Sequence, residues 1–115
     1  MKMAELSKET QEGIIQLQNL QRQFQIISGQ RQRFDIETIQ IDSALAELEK
    51  SEGKVYKAIG GLLIETKNAE LRKELNERRK EVITRTETIK KQEEKLKAKA
   101  DELQKSVEKA LKASQ

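Results

Sequence analysis

Chemistry in this 115-residue chain would have to come from carboxylates, amines and hydroxyls, because it contains no cysteine and no histidine. That removes disulfides, thiol nucleophiles, the commonest metal ligand and the usual general base at neutral pH. Carboxylates adjoin at Glu93-Glu94 and Asp101-Glu102, the kind of pair that general acid and base work requires. Such a pair functions only where a water-excluding pocket shifts the two pKa values. Gly60-Gly61 lacks the glycine and Lys-Ser/Thr spacing of a phosphate-binding loop. Cations recur at Arg78-Arg79-Lys80, Lys90-Lys91 and Lys95, Lys97 and Lys99, but Glu81, Glu87, Glu93 and Glu94 sit among them. They read as solvated helix faces and not as a track for phosphates. The expectation is a protein that is not an enzyme, with no cofactor, no metal and no nucleic-acid partner.

What must position any useful surface follows from composition. Charged residues make up 37% of the chain against 35% apolar, which leaves little material for a globular core. Zero prolines, five glycines and 3% aromatics favour long helices over strands. No stretch approaches the roughly 20 apolar residues that cross a bilayer, and the N-terminus lacks an apolar signal segment. A cytoplasmic protein without membrane contact is expected.

Two heptad patterns run along the chain. In the first half, Leu17, Leu20, Phe24, Ile27, Arg31, Phe34, Thr38, Ile41, Leu45 and Leu48 are spaced alternately three and four apart. In the second half, Leu75, Val82, Ile89, Leu96, Leu103 and Ala110 recur every seven residues, with Arg79, Thr86, Glu93, Ala100 and Val107 as companions. Six acid-before-base pairs, from Glu74 with Arg78 to Glu108 with Lys112, are placed to brace the second helix at about 0.2–0.5 kcal/mol each. Gly13 and Gly29 predict local looseness in the first. The expected spans are a helix over about 7–51, a β-hairpin over about 54–66, and a helix over about 67–113.

The hairpin is read from Val55, Tyr56, Lys57, Ala58, Ile59, Gly60, Gly61, Leu62, Leu63 and Ile64, two short apolar runs around a glycine pair. Gly53 suits the end of the first helix, and Thr66 or Asn68 the cap of the second. A Gly60-Gly61 turn pairs residues whose numbers sum to 121. Antiparallel helices pair best at a sum of 120, which sets Leu17 against Leu103, Phe24 against Leu96 and Arg31 beside Glu93. Polar seam positions then act as register marks. The predicted fold is mainly α: a single domain of two helices in an antiparallel coiled coil, each about 65–70 Å long at 1.5 Å per residue, joined by one hairpin.

Pairing Ile59 with Leu62 and Lys57 with Ile64 leaves Tyr56, Ala58 and Leu63 on the other face, so the hairpin is apolar on both sides with two open edges. A lone hairpin of this kind is marginal in water. Copies joined edge to edge into a closed β-barrel would bury it.

The segment from Val55 to Ile64, between two coiled-coil helices in a chain of this length, resembles the prefoldin family in its β-type, archaeal-like subunits. Its specific part is this stretch of about ten residues. The resemblance implies a hexamer of two α-type and four β-type subunits, built on a double β-barrel from which coiled coils project. It further implies an ATP-independent chaperone that holds non-native polypeptides at the far ends of the coils and delivers them to a group II chaperonin. Those ends are the chain termini here, making Met1, Met3, Leu6, Ile14, Ile15, Val107, Leu111 and Ala113 the candidates for client binding. Ile36, Ile39 and Ile83 lie off the seam and are expected to broaden the intrachain core or touch a neighbouring subunit, the former preferred. The alternative function is a structural coiled-coil spacer or scaffold, which the heptads would serve equally well.

Overall fold

The structure, a computed structural model, describes residues 6–113. Helix α1 spans Lys8–Lys50, strands β1 and β2 span Val55–Ile59 and Leu62–Thr66, and helix α2 spans Asn68–Ala113. The Ser7 hydroxyl opens α1 by accepting from the Thr10 backbone N–H at 3.1 Å, which satisfies a donor the helix itself leaves unpaired. At α2 the first backbone bond runs from Leu71 N–H to Lys67 O, so Lys67 and not Thr66 or Asn68 takes the cap position. Asn68 is used differently: its side-chain NH₂ donates to Leu48 O at 2.9 Å and ties the start of α2 to the end of α1. The close of α1 is a tightened turn from Ser51 N–H to Leu48 O, and Gly53 lacks the left-handed backbone of a glycine cap.

The chain divides into two compact units, a hairpin unit of residues 32–87 and a terminal unit containing residues up to 31 and from 88 onward. In the hairpin unit the strands pair antiparallel from Val55 with Thr66 to Ile59 with Leu62, the register expected of a Gly60-Gly61 turn. Both glycines have positive φ, 53° and 83°, the backbone of a tight turn whose twist matches the strands. Val55, 8% exposed, packs at the base of the hairpin beside Leu48, Leu71 and Leu75. Ile41, Val82 and Thr86 are buried along the helices. The hydroxyls of Thr38 and Thr86 donate to the carbonyls of Phe34 and Val82, four residues back, at 3.0 and 2.8 Å. These seam threonines are therefore satisfied within their own helix and do not bond across it.

Charges close the flanks of this unit. Arg78 makes a two-point contact with Glu37 at 2.8 and 3.0 Å, and Arg79 meets Asp42 at 2.6 Å. The Glu37 hydrogen bond raises the Arg78 pKa above its ordinary value, the largest of several causes. None of the six expected i,i+4 pairs on α2 closes among the described residues. Glu74 is drawn to Lys57 of β1, Arg78 to Glu37 and Glu81, and Glu93 to Arg31. Ile36 and Ile39 do not broaden the core either. They are 55% and 65% exposed, because the seam turns them outward, while Ile83 is half-buried.

In the terminal unit, Ile89, Glu93 and Val107 are buried. Glu93 accepts hydrogen bonds from the Ser28 hydroxyl at 2.8 Å and from Arg31 Nε, a polar seam layer that reads across the two helices. Gly13 is not a loose point. A Cβ there would lie 3.2 Å from Val107 Cγ2, so the absence of a side chain lets the helices close on each other. Gly13 and Val107 have numbers that sum to 120, as the heptad alignment requires, and Arg79 with Asp42 in the other unit, at 121, lies one residue from it.

Candidate functional site

The hairpin carries the most concentrated exposed apolar surface among the described residues. Leu62 and Leu63 are 67% and 76% exposed, and Tyr56, Ile59 and Ile64 are exposed with them. Ala58 and the turn glycines Gly60 and Gly61 are exposed as well. The sheet has two strands only, so β1 and β2 each keep one row of N–H and C=O groups that no ladder uses. Side chains alternate across it, which puts Ile59, Leu62 and Ile64 on one face and Tyr56, Ala58 and Leu63 on the other. Exposure of both faces fits no single-sided packing on this chain's own helices. The base is held at one point by Val55 and at another by Lys57, whose ammonium sits 3.2 Å from both carboxylate oxygens of Glu74. Periodicity alone did not reveal this anchor, since Lys57 lies outside the heptads.

The expected seam residues Leu17, Leu20, Phe24, Ile27, Phe34, Leu45, Leu48, Leu75, Leu96 and Leu103 are half-buried, and Ile41, Val82 and Ile89 are buried. Each lies within its own unit as part of the support.

The terminal candidates divide. Ile15 is 52% exposed and Ala113 is exposed, whereas Leu6, Ile14 and Leu111 are half-buried. Val107 is buried in the seam against Gly13, and its remaining surface faces a cleft at this end of the unit. Met1 and Met3 lie outside the described residues. A cleft of about 310 Å³ opens nearby, lined by Thr10, Gly13, Gln16, Ser106 and Ala110 among others.

Of the carboxylate pairs, Glu93 is occupied by Arg31 and Ser28, and Glu94, Asp101 and Glu102 are solvent-exposed. Among the described residues no group of three or more His, Cys, Asp and Glu side chains could hold a metal ion. No described helix is long and apolar enough to cross a membrane. A feature that heptad counting passed over is charge placement: residues 13–31 contain no Asp or Glu at all. A scan for runs lacking one sign of charge would have found it.

Residues 11–114 match the family described as prefoldin subunit. The chain is 38% identical over 78 residues to prefoldin subunit beta of Archaeoglobus fulgidus, covering 66% of this chain and 67% of that one. Against prefoldin subunit beta of Thermococcus onnurineus the identity is 35% over 78 residues, with the same shares. Among solved structures, the prefoldin beta subunit from Thermococcus strain KS-1 superposes with a TM-score of 0.82 at 30% identity, covering 92% of this chain and 95% of that chain. The prefoldin beta2 subunit of that strain shares the fold, with a TM-score of 0.72 at 23% identity over 77% of this chain and 97% of that chain.

Proposed function

The chain belongs to the prefoldin subunit family, and from that premise we propose that it is a β-type subunit of an ATP-independent chaperone. The observation that carries the reading is the hairpin, apolar on both faces and open at both edges. An exposed strand edge is a template for pairing with another chain, and closing such edges into a barrel removes the liability. Copies of this chain join α-type subunits, two α-type to four β-type, through that barrel. The coiled coils present their far ends to non-native polypeptides, with Leu6, Ile14, Ile15, Leu111 and Ala113 as client contacts, and a group II chaperonin receives the client. Holding needs no chemical step, which is consistent with a chain whose carboxylates are solvated or already paired.

The test is to mix the chain with an α-type partner and measure mass by size-exclusion chromatography with light scattering, then aggregation of a denatured client. A discrete hexamer that suppresses aggregation is expected, and Leu62→Asp should give smaller species. A stable monomer with or without the partner, or a Leu62→Asp variant of unchanged mass, would refute the reading.

A further inference from the structure

Charge is unequally divided along this chain. The terminal unit, residues 1–31 and 88–115, has 12 Lys and Arg against 8 Asp and Glu, net +4, whereas residues 32–87 have 11 against 12, net −1. The asymmetry on α1 lies in residues 13–31, where six glutamines replace the acids that elsewhere alternate with bases. All six are exposed and none makes a side-chain hydrogen bond. Opposite them on α2, Lys90 and Lys97 lie seven residues apart on one helix face, exposed and without an ion pair, with the exposed Glu94 between them.

Between these two rows the seam narrows to Ala100, and the missing side-chain volume opens a cleft of about 600 Å³ over Phe24. Its floor is Phe24 and Ala100, and Gln21, Gln25, Lys97 and Gln104 form its rim. Asp101 also lines it, with lysines four residues to either side. An amide carries both a donor and an acceptor, so it meets either group of an extended backbone, and burying it desolvates no charge.

We propose that this cleft is a client subsite that takes one apolar side chain of an extended, acidic segment. The floor receives the side chain, the glutamines meet the segment's backbone, Lys97 at the rim attracts a carboxylate beside the cleft, and Lys90, further along the same helix face, attracts one beyond it. The inference rests on the client-holding reading above and narrows it to a charge class: acidic non-native chains are held more tightly than basic ones of equal apolar content. Complementary charge of this kind is felt across a Debye length of about 10 Å at 0.1 M salt and is lost as salt rises.

One denatured protein in two forms, its lysines succinylated or its carboxyls amidated, separates charge from sequence. Binding of each fluorescent form to the hexamer assembled with an α-type partner is followed by anisotropy, without chaperonin. The succinylated form should bind about fivefold more tightly at ~0.05 M salt, with the preference gone at ~0.5 M. Lys90→Gln with Lys97→Gln should bring the two affinities together, and Ala100→Leu, which fills the cleft, should weaken both. Equal affinities in the unaltered hexamer, or a preference that survives the paired lysine substitution, would overturn the inference while leaving the chaperone reading standing. Failure to bind either form would overturn that reading itself, and this inference with it.

Discussion

Replacing Arg31 by Leu isolates the energetics of the polar seam layer. Glu93 is 8% exposed and is held by Ser28 and Arg31 alone, so the substitution leaves a nearly buried carboxylate with one neutral donor. Breaking a fully buried ion pair costs roughly 3–5 kcal/mol. The Arg31 side chain is 29% exposed, and water can reach part of the vacated space, so the expected loss is about 2 kcal/mol. That is roughly a 30-fold fall in the folded-to-unfolded ratio. Replacing Glu93 by Leu in the same chain removes the stranded charge and should return stability to within about 1 kcal/mol of the starting protein, or above it. Urea unfolding monitored by circular dichroism, at fixed subunit concentration, measures all three proteins. A loss below about 0.5 kcal/mol for Arg31→Leu would mean that the layer behaves as an ordinary surface pair. A double variant less stable than Arg31→Leu would mean that the charge was not what the single change exposed.

Gly13→Leu should destabilise the chain by about 1–3 kcal/mol in the same assay, since a Cβ already meets Val107 at 3.2 Å and a larger side chain must force the helices apart; unchanged stability would show that the close approach is not needed. Removing about ten residues from each terminus takes away Leu6, Leu111 and Ala113 but leaves the hairpin and most of both seams. The truncated chain should keep the mass of its assembly and lose suppression of client aggregation, and full suppression would refute the role given to the ends.

The heptads carried most of the architecture because a 3.5-residue period is visible wherever apolar side chains repeat, and the Gly60-Gly61 pair set the hairpin register independently. Arg31 beside Glu93 was legible too, since alignment of the two seams places them in one layer. The flanking contacts were not. Asp42 with Arg79, Glu37 with Arg78 and Lys57 with Glu74 depend on how far each helix is rotated about its axis, and Glu74 and Arg78, committed to those partners, do not close the pair expected between them. Gly13 looked like a weakness because its backbone cost is visible in sequence, while the neighbour that profits from it is 94 positions away. Val107 entered the terminal candidates by its position, and the burial that the same glycine gives it could not be read from that position. Ile36 and Ile39 are apolar without being core, which no count of apolar residues distinguishes from burial.

The hairpin's two edges are not equivalent: one is the outer side of β1, the other the outer side of β2. A junction between unlike edges has a direction, and each copy added to such a row presents the same free edge as the last. Nothing in that geometry counts. Were copies to join in such a row, the number at which it returned to its starting point would be set by the twist accumulated per hairpin.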